Sequence, residues 1–213
     1  MQNARQRAID LYSGSAWESF LSKFKFWEEP YEAVDAMLPR HGTIVELGCA
    51  EGLLSNYLAI SSSNRSVIGY EIVPERLARA KKRIKNTRYF VGDIIEVPYP
   101  KADAVVLFHV LHHLPGKANQ ELVLRKAKQS LKKGGTLVIV EVHVKPTVKY
   151  IAAWIADHFL VPWVFEKRWY TRAYFRTEHE WTGLLKRLGF TVNVTEETSG
   201  RPFPNIMFEC KLK

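Results

Sequence analysis

Thr43-Ile44-Val45-Glu46-Leu47-Gly48-Cys49-Ala50-Glu51-Gly52 runs from an apolar strand into a glycine-bearing turn, and residues 53–60 beyond it read as a helix. Glycine lets a backbone approach a ligand closely, and a helix N-terminus presents N–H groups and the positive end of a dipole. Strand, glycine turn and helix in that order build nucleotide pockets in α/β proteins. An E-x-G-x-x-x-G turn also arises by chance, so its weight comes from what recurs around it.

Outward from this turn, strands and helices alternate. Strands are predicted over 43–47, 66–71, 87–91, 103–109, 136–141, 190–196 and 205–211, and helices over 52–60, 74–85, 118–132 and 178–187. Gly134-Gly135 reads as the turn into the fifth strand, and Gly189 as the stop of the helix that begins near Thr177. The alternation predicts an α/β fold: a doubly wound, mostly parallel seven-stranded sheet with helices on both faces. Only a segment containing Ser199-Gly200-Arg201-Pro202 joins the last two strands, which predicts a final antiparallel hairpin with an antiparallel edge strand. Residues 1–40 read as a helical extension in two pieces divided near Pro30. Trp17, Phe20, Leu21, Phe24 and Trp27 recur there at helical spacing, and Pro39 closes the stretch. The expected layout is one domain over 1–213: the extension, a cofactor-binding core over 41–142, a helical lid over 143–176, and a C-terminal helix and hairpin over 177–213.

With 46% hydrophobic and 25% charged residues among 213, the chain reads as a soluble globular domain, not a disordered or fibrous one. MQNARQRAID is polar and lacks the apolar core of a signal peptide, and Cys49 and Cys210 form no metal-type spacing. Both cysteines are expected as reduced thiols in a cytoplasmic protein. The net charge of +9 gathers over 76–88 (Arg76, Arg79, Lys81, Lys82, Arg83, Lys85, Arg88) and again at Lys126, Lys128, Lys132, Lys133, Lys167, Arg168, Arg172 and Arg176. Such a balance suits nucleic acid, an anionic membrane surface or an anionic substrate, and equally a set of solvated helix faces.

Ligands of such sheets bind at the carboxyl ends of the strands, so polar residues there carry the chemistry. The second strand ends in Glu71, placed to accept hydrogen bonds from both hydroxyls of a ribose. The third runs into Gly92-Asp93-Ile94, where Asp93 can accept an adenine's exocyclic amine while Ile94 and Ile72 pack on its faces. The fourth ends in Phe108-His109-Val110-Leu111-His112-His113-Leu114. Each of these has a bland reading alone; all in order are harder to reach by chance.

ELGCAEG, GYE, GDI, DAVVLFHVLHHL and LKKGGTLVIVE resemble the ordered motifs of class I S-adenosylmethionine-dependent methyltransferases, over residues 40–142 closely and more loosely beyond. The resemblance implies a Rossmann-like fold in which Glu46, Gly48, Cys49, Ala50 and Gly52 frame the methionine part of S-adenosylmethionine. It assigns Glu71 and Ile72 to the ribose and adenine, Asp93 and Ile94 to the adenine, and Phe108 and His109 to the pocket wall. The family's usual middle glycine is Ala50 here, a small change expected to leave binding intact if the residue keeps a negative φ. A dinucleotide reading requires G-x-G-x-x-G, which the turn lacks.

Because a sulfonium already activates its methyl group, the protein must mainly orient the acceptor and exclude water. A base is required only where the acceptor loses a proton. The candidates are His112, His113 and His143, with Glu141 at the end of the fifth strand. No metal constellation is visible, and a metal-independent reaction yielding S-adenosylhomocysteine is expected. The stretch Tyr150-Ile151-Ala152-Ala153-Trp154 through Pro162-Trp163-Val164-Phe165 is very apolar with basic flanks, too short to span a bilayer, and reads as a lid over an acceptor pocket that can also touch a membrane surface. Tyr12, Trp17, Trp154, Trp163, Tyr170 and Tyr174 are expected near a small, hydrophobic or amphiphilic acceptor. The rival readings are an RNA methyltransferase using the basic faces and a non-catalytic S-adenosylmethionine-binding scaffold. Against the first, the fourth-strand motif is not the N/D-P-P-Y/F kind used on nucleobase amines.

Overall fold

The computed structural model describes residues 3–144, 173–197 and 204–212. Three helices open it, α1 (Ala4–Asp10), α2 (Ala16–Glu28) and α3 (Tyr31–Met37). There follow β1 (Gly42–Leu47), α4 (Leu53–Ser61), β2 (Arg65–Glu71), α5 (Pro74–Ala80), β3 (Thr87–Val91), β4 (Ala102–Phe108), a 3-10 turn (Leu111–His113), α6 (Lys117–Ser130) and β5 (Leu131–Val142). α7 (Glu178–Arg187), β6 (Phe190–Glu197) and β7 (Asn205–Leu212) complete the chain. The strands form a seven-stranded sheet in the order β3-β2-β1-β4-β5-β7-β6. The order reverses between β1 and β4, which places a ligand crevice at their carboxyl ends.

Successive strand residues face opposite sides, so the apolar strands feed two cores. Val45, Leu47, Val105, Leu107, Leu137 and Ile139 pack with Val123, Leu124 and Ala127 of α6 and with Trp181, Leu184 and Leu185 of α7. Ile44, Val67, Ala104, Val106, Val138 and Val140 pack with Leu54 and Leu58 of α4, Ala8 and Ile9 of α1, Phe26 and Val34. α7 starts with a capping box in which Thr177 and Glu180 satisfy each other's backbone N–H groups.

Four sequence expectations shift. The hairpin's antiparallel strand is not the edge: β7 lies between β5 and β6, antiparallel to both, and the edge strand β6 runs parallel to β5. The extension has three helices because the chain also breaks at 11–15, where the Ser15 side chain accepts the Glu18 N–H at 3.1 Å and starts α2 afresh. α5 stops at Ala80, since Lys81 and Lys85 would stack like charges one turn apart and Arg83 turns left-handed at φ 59°. Gly134-Gly135 lies inside β5, in a bulge where Ala102 pairs with Leu131 but Ala104 already pairs with Thr136. The expected lid lies largely outside the described residues, and with it Trp154, Trp163 and Tyr170. Among the described residues no helix is long and apolar enough to cross a membrane.

A buried cation ties the extension to the sheet. Arg65, at the start of β2, has a fully buried side chain whose Nε donates to the Pro39 carbonyl at 2.7 Å. Its two terminal nitrogens donate to Ser61 Oγ at 2.8 Å, to the Leu58 and Leu38 carbonyls at 3.2 and 3.3 Å, and to the Asp35 carboxylate.

Candidate active site

The glycine turn is pinned from the neighbouring strand. Gly48 and Cys49 both donate their N–H to the Tyr70 carbonyl at 2.8 Å, and Gly52 donates to the Cys49 carbonyl at 2.7 Å. Gly48 has φ 78°, and a Cβ built there would lie 2.5 Å from Val110 Cγ2, so this backbone approaches the β4 turn as only glycine can. Glu71 reaches back under the turn, accepting the Ala50 N–H at 2.9 Å and the Val73 N–H at 3.0 Å. Glu51 pairs with Arg76 at 3.0 Å and Arg79 at 3.2 Å, which fastens the turn to α5. Part of the basic stretch is therefore spent inside the molecule.

Ala50 departs from its expectation: its φ is 49°, in the left-handed region. A Cβ there costs about 1–2 kcal/mol, and glycine's extra freedom when unfolded returns about 0.4–1 kcal/mol of that. Ala50→Gly is therefore expected to stabilise the protein by roughly 0.5–1 kcal/mol, raising Tm by about 2 °C in a thermal scan. A lower Tm would show that the methyl group packs usefully.

Beneath the turn, Glu46 is buried and accepts a short hydrogen bond from Ser55 Oγ. Burial pushes its carboxyl up to about 8 against the Ser55 hydrogen bonds, and the neighbouring Glu71 adds to the rise. Two buried carboxylates at adjacent strand ends fit a ligand carrying cationic and hydroxyl groups, because its charge would offset the cost of ionising Glu46. Beside them, Ile72 is 59% exposed, an apolar side chain open to a planar ring. Ile94 is instead buried in the sheet core, leaving Ile72 as the face that can meet an adenine. Asp93 closes its own loop, accepting the Ile95 N–H at 2.8 Å. Tyr12 lands on this side as well, not beside the β4 turn. α1 packs on α4, and the Tyr12 hydroxyl donates to the Glu51 carbonyl at 2.7 Å while accepting from Asn56 Nδ2 at 2.7 Å. The residues present thus suit S-adenosylmethionine, which Glu46, Glu71 and Asp93 could hold by its polar groups.

At the end of β4 the chain turns through a left-handed residue. His109 sits at φ 48°, its N–H donated to the Val140 carbonyl at 2.9 Å. Its Nε2 lies 2.9 Å from Asn205 Oδ1 of β7 and 3.3 Å from Glu29 Oε2, just beyond α2. Burial works to raise the Glu29 carboxyl, but the charges of His109 and Lys25 outweigh it and hold it down at about 2. Phe108 packs against Tyr31 of α3 with ring centroids 5.2 Å apart.

One turn on, His112 is buried, with Nδ1 2.6 Å from Glu141 Oε2. Glu141 Oε1 accepts the Leu111 N–H at 2.9 Å. Burial would raise the Glu141 carboxyl, yet His112, His109 and the Leu111 N–H together keep it below the usual carboxylate range. An ionised Glu141 places the proton on Nδ1 and leaves the lone pair on Nε2. Phe175 stacks on the ring at 5.0 Å and 20°, which fixes its plane. Gln120, buried on α6, donates to the Leu111 and Tyr174 carbonyls at 3.1 and 2.7 Å and accepts from Arg176 Nε at 2.6 Å. It holds the turn and residues 173–176 together; the sequence offered only a polar residue on a helix.

Of the three histidines named from sequence, the structure keeps His112 and His113 together and sets His143 apart. The His113 ring lies tilted at 47° beside His112, centroids 4.1 Å apart. His143 lies beyond β5 in a 370 Å³ pocket lined with Val144, Thr177, Glu178, His179 and Thr182, none of them from the glycine turn. Tyr174 meets the site through its backbone, donating its N–H to the His112 carbonyl at 2.7 Å. Trp17 is 66% exposed and stacks on Phe20, away from all of these. Among the described residues, two groups each offer three metal-ligand atoms within 4.8 Å of one another: His109, His112 and Glu141, and His143, Glu178 and Glu196. In the first, the 2.6 Å His112–Glu141 contact is a hydrogen bond; two ligands of one zinc ion stand about 3.3 Å apart.

A methyltransferase-domain family model matches residues 18–195, and the chain belongs to that family. Its fold is that of class I S-adenosylmethionine-dependent methyltransferases. The magnesium protoporphyrin IX methyltransferase of Synechocystis, solved with S-adenosylhomocysteine, superposes with TM-score 0.67 at 16% identity, over 98% of this chain and 93% of that one. Among curated proteins, the desmethylxanthohumol 6'-O-methyltransferase of Humulus lupulus is 28% identical across 89% of this chain and 48% of its own length. The demethylmenaquinone methyltransferase of Thermotoga maritima is 25% identical across 57% of this chain and 52% of its own. The chain thus matches about half the length of these relatives.

Proposed function

We propose that this chain methylates a hydroxyl group of a small, apolar acceptor, using S-adenosylmethionine. The observation that carries the reading is the buried His112–Glu141 pair, 2.6 Å apart, at the end of the strand beside the glycine turn. When bound, the cofactor supplies an electrophilic methyl group. Glu46 and Glu71 favour its cationic and hydroxyl-bearing parts, and Ile72 offers an apolar face to its base. Glu141 accepts from His112 Nδ1, which makes Nε2 the basic nitrogen, and Phe175 keeps the ring in plane. His112 then takes the hydroxyl proton as the acceptor oxygen forms its new bond. The Humulus lupulus relative, by its name a 6'-O-methyltransferase, supports a hydroxyl-bearing acceptor. A direct assay is transfer of tritiated methyl groups to phenols of increasing alkyl length. Label is expected in the organic phase, with KM falling as the alkyl chain lengthens. Label in added RNA, or cofactor binding without transfer to any acceptor, would overturn the reading.

A further inference from the structure

Helix α2 carries an apolar face besides the one it buries. Phe26 and Ser22 are buried on the inner face. On the outer face Trp17 is 66%, Phe20 56%, Leu21 37% and Trp27 50% exposed, with Phe24 between them. These positions follow the helical repeat, so they form one continuous ridge. The rings stack along it: Trp17 on Phe20 at 5.7 Å, Phe20 on Phe24 at 6.3 Å, and Phe24 edge-on to Trp27 at 5.6 Å. Scattered apolar residues on a surface require no explanation, but a contiguous aromatic ridge does.

We propose that this ridge docks on an anionic lipid bilayer. Three observations favour a bilayer over a second copy of the chain. The ridge exposes on the order of 400 Å² of apolar surface, about half of what each partner buries in a stable dimer. Tryptophans stand at both ends of the ridge, and indole rings favour the headgroup level of a membrane. Lys25 pairs with Glu28 and Glu29 and Arg5 with Glu32, but Lys23, exposed and one helical turn from both Phe20 and Trp27, adds a positive charge at the ridge itself, in a chain of net charge +9, which complements anionic headgroups. The far end of the same helix reaches the active site, since Glu29 lies 3.3 Å from His109 and the Glu28 carbonyl accepts from Asn205 Nδ2 at 3.4 Å. The ridge therefore leads from the bilayer toward the His112–Glu141 pair. This inference deepens the proposed function, since it makes the acceptor one that resides in lipid.

The test is sedimentation with vesicles of phosphatidylcholine and phosphatidylglycerol (7:3), and with phosphatidylcholine alone, at low and high salt. Wild-type protein is expected to partition at least ten-fold more than the Phe20→Ser/Leu21→Ser variant, with S-adenosylmethionine binding equal in both as the check on folding. Lys23→Glu is expected to lower binding to the anionic vesicles alone. Equal partitioning of wild type and the double variant, or no partitioning of either, would overturn the proposal. A dimer of the wild type, seen by analytical ultracentrifugation and lost in the double variant without vesicle binding, would assign the ridge to self-association and also overturn it. Vesicle binding with no methylation of any phenol would leave the docking surface standing while the proposed reaction fell.

Discussion

His112→Asn is expected to lower kcat for a phenolic acceptor by about 10²–10⁴-fold, the usual contribution of a positioned base. The affinity for S-adenosylmethionine should not change, because the residues proposed to hold it, Glu46, Glu71 and Asp93, lie at other strand ends. Glu141→Gln should give a smaller fall in kcat: the amide can still accept the Leu111 N–H, but it no longer carries the charge that places the His112 proton on Nδ1. The variant that separates a chemical role from a structural one is His113→Asn. It alters the neighbouring ring, tilted beside His112 at 4.1 Å, without removing the Glu141 contact, and should retain most of the activity. Unchanged turnover in His112→Asn would mean that the accepting atom carries no proton to lose, and the hydroxyl reading would go with it.

The largest effect on stability is expected at Arg65, far from any chemistry. Arg65→Ala should destabilise the protein by about 3–5 kcal/mol, because it strands a buried partner carboxylate. Asp35 would lose its buried cation, and the Pro39, Leu38 and Leu58 carbonyls would lose their donor together. For a chain of this length that corresponds to a fall in Tm on the order of 10 °C. A shift under about 3 °C would show that Arg40, which also reaches Asp35 at 2.8 Å, takes over the carboxylate.

Much of this arrangement was legible in advance because sheet chemistry is periodic. Glu46, Glu71, Asp93 and His112 each follow an apolar run, and an α/β sheet presents whatever follows such runs to one crevice. Arg65 was not legible. A lone arginine before a strand reads as surface charge, and only the folded chain shows Pro39, Leu58 and Asp35 converging on it. The additional break in the extension had a local sign that the aromatic spacing obscured: Ser15-Ala16-Trp17-Glu18 is a helix-start pattern inside a run that otherwise repeats every three or four residues. Tyr12 was placed by its neighbourhood in sequence, near the aromatics, whereas α1 folds back on α4 and carries it to the glycine turn. Ala50 shows the same limit at a single residue, since its left-handed backbone follows from how the turn is pinned to Tyr70 and Glu71, not from its side chain.

The place of β7 between β5 and β6 sets an order on synthesis. A ribosome releases β6 before β7, yet β7 is the strand through which β6 joins the sheet. Until the Asn205–Leu212 segment emerges, β5 presents an unsatisfied edge and β6 waits without its hydrogen-bonding neighbour. The nascent chain can therefore assemble β3-β2-β1-β4-β5 and its glycine turn early. Asn205, which steadies His109, arrives with that same late strand. The glycine turn and the contact that steadies His109 are thereby completed at different times on the translating ribosome.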